Sequence, residues 1–388
     1  MMYLCAEHYF MYLIYCIHSL HHPGGMERVL LNKVTWLVRH KHWQVMVVTT
    51  DQKGRMPFYP FPPEVGMVDL DINYSDDNDQ GVLRKVTGYL RRRRLHRRRL
   101  TRLLMQERPD VVVSLFPSES SFLPDIKDGS RKVLELHFNR YFRLQYGRHG
   151  LLGLIDRWRT WQDRRLVQRF DRFVVLTQED KGYWGALPNL EVIPNAALPQ
   201  GEVRTDGHSR RVIAVGRLDY QKGFDRLIEA WAMVQSECRY HDWHLDIYGQ
   251  GEWHDMLQRM IDMRSLCDSA ALHEPTLDIA QEYARSAMLV MSSHYEGFPM
   301  VMVEGMACGL PVVTFDFKCG PRDIICDGVN GLMVPEGDVK ALAWAMMRLM
   351  DNEALRLRLA SNACRVTNTY SEERVMGQWV RLLESMAR

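Results

Sequence analysis

Two stretches of this chain gather side chains suited to an anionic ligand. The first is Gly216-Arg217-Leu218-Asp219-Tyr220-Gln221-Lys222-Gly223. Arginine presents a planar fork that matches a phosphate, and lysine presents a compact point charge. Two such cations at the end of a strand can neutralise a diphosphate without a metal ion; the same residues would also make a surface turn with solvated charges. The second stretch is Ser293-His294-Tyr295-Glu296-Gly297-Phe298-Pro299, with Glu304 eight residues after Glu296. Pro299 suits a first helical turn, where its missing N–H is not needed. The start of such a helix offers free backbone N–H groups and a positive dipole end to an anion. Two glutamates at this spacing are common by chance; Glu-Gly-Phe-Pro at a strand–helix junction is much rarer.

These residues need a frame, and the hydrophobic pattern supplies one. Residues 9–17 form an apolar run of the kind expected of a buried parallel strand. A Gly-Gly turn follows, then apolar residues at helical spacing over 26–40, then a second strand over 43–50. Further helices are predicted at 81–107 and 151–170, and further strands at 110–116, 131–137 and 172–176; residues 189–194 end the first half. Residues 194–211 are rich in Pro, Gly and polar groups and read as a linker. A second series follows, with strands at 211–215, 243–248, 287–291 and 311–315. Its helices are at 222–237, 252–264, 301–308, 339–349, 353–369 and 371–386. Both halves are therefore α/β with parallel sheets, and such sheets hold ligands at the carboxyl ends of their strands. Two doubly wound domains facing each other would place a substrate in the cleft between them.

Composition agrees. The chain has 388 residues, 46% hydrophobic and 25% charged, with a net charge of +2. That excludes a disordered tail, a collagen-like fibre and a disulfide miniprotein, and it suggests two domains. The small net charge hides a split. Residues 1–200 hold 30 basic and 21 acidic side chains, a net of +9, whereas residues 201–388 hold 20 and 27, a net of −7. The basic half suits an anionic surface: phospholipid, nucleic acid or a phosphorylated substrate. The eight cysteines show no Cys-x-x-Cys pair and no zinc spacing, so they read as reduced thiols. Residues 1–20 lack the charged start and cleavage site of a signal peptide, and no apolar run is long enough to span a bilayer.

Arg91–Arg94 and Arg97–Arg99 put seven arginines in nine positions of a predicted helix. Nine helical residues make two and a half turns, so the cations are expected to point all round rather than form one basic face. A solvated helix and attraction to a membrane surface or a lipid diphosphate are the two readings. Nucleic acid is not expected, because the aromatic residues that stack on bases are missing there. Farther on, Phe138, Tyr141, Phe142, Tyr146, Leu151, Leu152, Leu154, Trp158 and Trp161 interleave with Arg140, Arg143, Arg148, Arg157 and Arg159. That mixture suits a lipid headgroup interface and suits ordinary core packing equally.

Taken as a set, these motifs resemble glycosyltransferase family 4, retaining enzymes of GT-B architecture. Glu304-Gly-Met-Ala-Cys-Gly-Leu-Pro-Val-Val313, Gly320-Pro-Arg-Asp-Ile324 and Asp327-Gly-Val-Asn-Gly331 follow the family's order, as do Pro23-Gly24-Gly25-Met26-Glu27-Arg28 and Ile193-Pro194-Asn195. The likeness runs over roughly residues 11–388. It implies two facing Rossmann-like domains with a cleft between them: residues 1–195 on the acceptor side, 208–370 binding the nucleotide-sugar, and 371–388 a helix returning to the first domain. It implies that Arg217 and Lys222 bind the nucleotide diphosphate and that Glu304 accepts from the ribose hydroxyls. Glu296 would meet the donor sugar near its reacting carbon. Backbone N–H groups around Gly297 and Phe298 would face sugar and phosphate. Gly25 would let the backbone approach the diphosphate, and His137 would line the donor sugar. The family needs no metal or other cofactor, and no Asp-x-Asp suggests one here.

The implied protein is a cytoplasmic hexosyltransferase at the inner face of the membrane. Its donor is expected to be UDP-linked, and its acceptor a lipid-diphosphate-linked glycan of a surface polysaccharide. Its partners would include the anionic inner-membrane surface and no nucleic acid. A nucleotide-sugar 2-epimerase or a non-catalytic nucleotide-sugar binder would use the same fold. A dinucleotide oxidoreductase would need Gly-x-Gly-x-x-Gly, of which Gly249-Gln-Gly251 is half. Residues 1–10 are expected to be dispensable, since family members commonly begin at the first strand.

Overall fold

The computed structural model describes residues 10–22, 24–77, 82–115, 118–144, 150–197, 204–205, 207–276 and 278–386. Pro23, Phe116, Tyr146, Arg148, most of the predicted dispensable start and residues 198–203 and 206 of the predicted linker fall outside them, as do the side chains of Leu151 and Leu152.

The chain forms two units. The first takes the described parts of Met1–Leu176, Lys181–Ile193 and Met376–Arg388; the second takes Thr177–Asp180 and Pro194–Val375. In the first unit the strands are β1 (Tyr12–Cys16), β2 (Gln44–Thr49), β3 (Gly66–Asp69), β4 (Val111–Ser114), β5 (Arg131–Glu135), β6 (Arg172–Val175) and β7 (Leu190–Val192). They make one sheet in the order β3-β2-β1-β4-β5-β6-β7, every pairing parallel. The second unit repeats the plan with β8 (Arg211–Val215), β9 (His244–Tyr248), β10 (Ala270–His273), β11 (Met288–Met291), β12 (Val312–Phe315) and β13 (Gly331–Val334), ordered β10-β9-β8-β11-β12-β13. Each sheet reverses direction once, between β1 and β4 and between β8 and β11. Such switch points are where open parallel sheets hold ligands.

Helices cover both faces, so the central strands are apolar throughout: all of β4 and all of β11 are buried. The strands absent from the sequence reading are β3, β7, β10 and β13. β3 is an edge strand that buries none of its residues fully, β10 reads Ala-Ala-Leu-His without a β-branched residue, and β13 starts on the glycine that ends a turn. Pro299 is the residue before the Met300–Ala307 helix rather than part of its first turn. The predicted helix 353–369 is two, Glu353–Ala363 and Val366–Thr369. Lys222 closes a short 3-10 turn, Tyr220–Lys222, and the long helix after it starts at Phe224.

The arginine-rich helix, Val82–Glu107, departs from expectation. Its cations do not simply radiate. Arg92 donates to the Ile72 carbonyl at 2.7 Å, Arg93 to the Ser121 hydroxyl at 3.2 Å and Arg99 to the Asp71 carbonyl at 2.8 Å. Arg91, Arg94, Arg97, Arg98 and Arg102 stay exposed and, among the described residues, join no ion pair. Spacings of three, four and four align Arg91, Arg94, Arg98 and Arg102, so one basic face does exist. Long guanidinium arms reaching carbonyls on the neighbouring loop sort the rest.

The aromatic stretch also divides. Phe142 joins the buried cluster of the first unit and Tyr141 lies against Tyr183, ring centroids 5.2 Å apart. Phe138, Leu154, Trp158 and Trp161 remain exposed. Among the described residues no helix is long and apolar enough to cross a membrane.

Candidate active site

At the end of β8 the chain turns through Gly216. A Cβ there would crowd the Lys222 stem, and one on Gly249 or Gly251 would collide with the backbone of Gly216 or Leu218. The Gly-Gln-Gly after β9 is therefore close backbone packing, not half of a dinucleotide fingerprint. Asp219 caps the next turn by accepting from the Lys222 N–H, and Gly223 ends it with φ at +59°. Only glycine fits: a Cβ on Gly223 would also strike the Ser292 carbonyl. Two hydrogen bonds close this loop onto the one after β11. The His294 N–H donates to the Gln221 carbonyl at 2.8 Å, and Ser292 Oγ donates to the Lys222 carbonyl at 3.0 Å.

This closure brings the charged groups together. Lys222 Nζ lies 2.6 Å from Glu296 Oε1, and Ser293 Oγ donates to the same oxygen at 2.8 Å. Gln221 Nε2 donates to Glu296 Oε2 and to the Tyr295 carbonyl, each at 3.1 Å. The Glu296 side chain is 7% exposed, so its charge is held by a cation and two neutral donors rather than by water. Arg217 is the outer cation. Its side chain is 69% exposed, 3.2 Å from Asp219, and it donates to Gln221 Oε1 at 2.9 Å. The Tyr220 and His294 rings stack 4.2 Å apart beside the group. Burial, with the Arg226 charge second, holds His294 below the usual imidazole value.

Past Glu296 the chain crosses Gly297 and Phe298 into the Met300–Ala307 helix. Among the described residues the N–H groups of Gly297 and Phe298 have no acceptor within the protein. The Phe298 ring turns inward against Tyr370, centroids 5.4 Å apart, so what this residue offers a ligand is its backbone. Glu304 is buried on the helix itself. Burial, and next the Glu304 charge, push the Cys308 thiol up to about 12.

In the first unit, Gly25 opens the Gly25–Trp36 helix after β1, and a Cβ there would meet open space. His137 follows β5, its Nε2 3.1 Å from Glu135 Oε1. Glu135 is also gripped by Lys33 Nζ, at 2.5 and 2.7 Å, and Lys33 sits 3.7 Å from the centre of the Trp379 ring. Burial would raise the Glu135 carboxyl, but the Lys33 and His137 charges outweigh it and hold it at about 2. Sequence reasoning missed Lys33, Glu135, Ser293 and Gln221 as supports. A lysine inside the apolar stripe of a helix is the one signal that pointed to any of them.

Comparison with known proteins shows the family. Residues 23–197 match the model described as Glycosyltransferase Family 4, and residues 200–366 match the one described as Glycosyl transferases group 1. The chain belongs to glycosyltransferase family 4. Among curated relatives is the amylovoran biosynthesis glycosyltransferase AmsD of Erwinia amylovora, 33% identical over 223 residues, which are 55% of this chain and 62% of AmsD. The match thus spans less than two thirds of that relative, as it does of the other curated proteins it first meets. Solved structures share the fold at low identity. TarM has a TM-score of 0.79 at 15% identity, covering 97% of this chain and 99% of its own. HepE of Anabaena, solved with UDP and glucose, has a TM-score of 0.73 at 17% identity, covering 97% of this chain and all of its own.

Proposed function

We propose that this family 4 member is a retaining glycosyltransferase. It moves a hexosyl or N-acetylhexosaminyl group from a UDP-linked donor to a lipid-diphosphate-linked glycan in surface-polysaccharide synthesis. The carrying observation is the Lys222–Glu296 pair with Arg217 outside it, fixed on glycine-lined turns at the carboxyl ends of two adjacent strands. The UDP and glucose bound by HepE, and the polysaccharide that AmsD helps make, favour this donor and this product class.

The roles follow from where charge develops. Breaking the bond between sugar and diphosphate leaves positive charge on the sugar and negative charge on the departing phosphate. Arg217 swings in from solvent and Lys222 turns from one carboxylate to a second anion, so the leaving group meets two prearranged cations. The unpaired N–H groups of Gly297 and Phe298 add dipoles aimed at the same anion. Glu296, steadied by Ser293 and Gln221, accepts from the sugar hydroxyls, and Glu304 accepts from the ribose. Within the first unit Gly25 and His137 keep the donor-side roles that the family resemblance implies, His137 lying 3.1 Å from Glu135. The two cations take the place of a divalent metal, so EDTA should leave the rate unchanged.

A thermal-shift screen with UDP, GDP and their sugars tests the reading. A ligand that binds only the folded protein raises its melting temperature. UDP or a UDP-sugar should do so, and Lys222→Ala should abolish the rise. Lys222→Ala or Glu296→Gln should cut transfer by about 10²–10³, the usual cost of losing a group that stabilises transition-state charge. Absence of any nucleotide-induced shift, or full turnover in Lys222→Ala, would overturn it.

A further inference from the structure

The Gly150–Val167 helix is built inside out. Asp156, Thr160, Asp163 and Val167, spaced four, three and four, form its inward line, and all are buried. Asp163 is paired with Arg143, and the Thr160 hydroxyl donates to the Asp156 carbonyl at 2.8 Å. The opposite line has the same spacing: Leu154, Trp158, Trp161 and Arg165, with Ile155 beside it. Here Leu154 is 61% exposed, Trp158 56% and Trp161 53%. An ordinary surface helix turns its apolar line to the core and its polar line to water. This one does the reverse, and among the described residues both indoles stay more than half exposed.

We infer that this outward face is a seat for an anionic bilayer surface. The inference rests on the reading above, in which the acceptor is lipid-linked, and it names where the protein meets that lipid. Charge decides the occupant. Exposed Arg157 and Arg164 lie on one flank of the apolar line and Arg159 on the other, while the Arg165 guanidinium stacks 4.1 Å over the Trp161 ring. Tryptophan and arginine together match the headgroup layer, where a ring reaches the acyl boundary and a cation meets phosphate. The Val82–Glu107 helix of the same unit adds to its positive charge. Its Leu100 and Leu104 share one buried cluster with Val167 and Phe170, and its Arg91, Arg94, Arg97, Arg98 and Arg102 are exposed and unpaired among the described residues. A second copy of this chain is a poor occupant, because a twofold contact would set these arginines against their own kind.

Flotation of the full chain with vesicles provides the test. Binding is expected to vesicles of phosphatidylcholine with phosphatidylglycerol, and not to phosphatidylcholine alone. Trp158→Ala/Trp161→Ala should weaken that binding by at least about tenfold, and Arg157→Gln/Arg164→Gln by about tenfold or more, given the usual worth of a cation near such a surface. In the unsubstituted protein, lipids brominated near the headgroup should quench tryptophan fluorescence, and the double tryptophan variant should lose that quenching. Equal flotation of the tryptophan variant and the parent would overturn the inference. So would a parent that ignores anionic vesicles but self-associates through these tryptophans. UDP-induced melting shifts are measured without lipid, so failure of the bilayer seat and failure of the transferase reading are told apart.

Discussion

Lys33 and Glu135 are buried, oppositely charged and close enough to hold each other ionised. Neither has water to fall back on, so removing one partner strands the other, which costs about 3–5 kcal/mol for a buried pair. Glu135→Gln should lower stability by that order at neutral pH, and an apolar double replacement, Lys33→Met/Glu135→Leu, should recover most of it; urea midpoints measure both. The pH dependence has a definite sign. The Glu135 carboxyl falls from 4.5 to about 2 on folding, so its contribution is complete above about 4.5 and drains away as the pH drops towards 2. At this scale the sequence was partly legible. Arg217, Lys222 and Glu296 stood out as charged residues beside glycines at predicted strand ends. Ser293 and Gln221 did not, because their value lies in a loop conformation that folds a hydroxyl and an amide onto one carboxylate. Lys33, between Leu30 and Val34 on the helix, drew no reading from the sequence.

Helices carry the next level of behaviour, and His96 on the arginine-rich helix illustrates it. Its ring is buried edge-on to Phe122, centroids 5.1 Å apart, with Nδ1 3.2 Å from the Tyr74 hydroxyl. Burial drives its pKa from 6.5 down to about 4. The folded ring resists the proton that the unfolded one accepts, so stability is whole above 6.5 and falls as the pH descends towards 4. Between pH 7 and 5 the loss should be about 2 kcal/mol from this group, and His96→Phe should flatten that part of the curve; denaturant titrations at the two pH values would show it. Helices and central strands were readable from periodicity because each buries a broad apolar surface. β3, β7, β10 and β13 were not, since strands so short at or near a sheet edge need little apolar pattern. The direction of the arginine face was also hidden, because sequence spacing cannot say which guanidinium finds a carbonyl.

The whole molecule is the same strand order built twice, once in a basic half and once in an acidic one. Each unit has its own core, and the Glu372–Glu384 helix enters the first of them: Met376, Trp379, Val380 and Leu383 are all buried there. Trp379→Ala should cost the first unit about 3–5 kcal/mol, the usual penalty for deleting a buried indole. Hydrogen exchange should then quicken in β1 and β2 while β8 and β11 keep their protection; equal loosening of both sets would contradict separate cores. The alternation of strand and helix in each half was legible, and so was a second series after residue 211. The late helix matters for synthesis as well. A ribosome finishes every strand of the second unit before it makes the residues that close over Lys33. Folding during translation is thus open to the second unit first, and a message cut short before codon 376 would yield a sound second unit joined to a first unit with its ammonium laid bare.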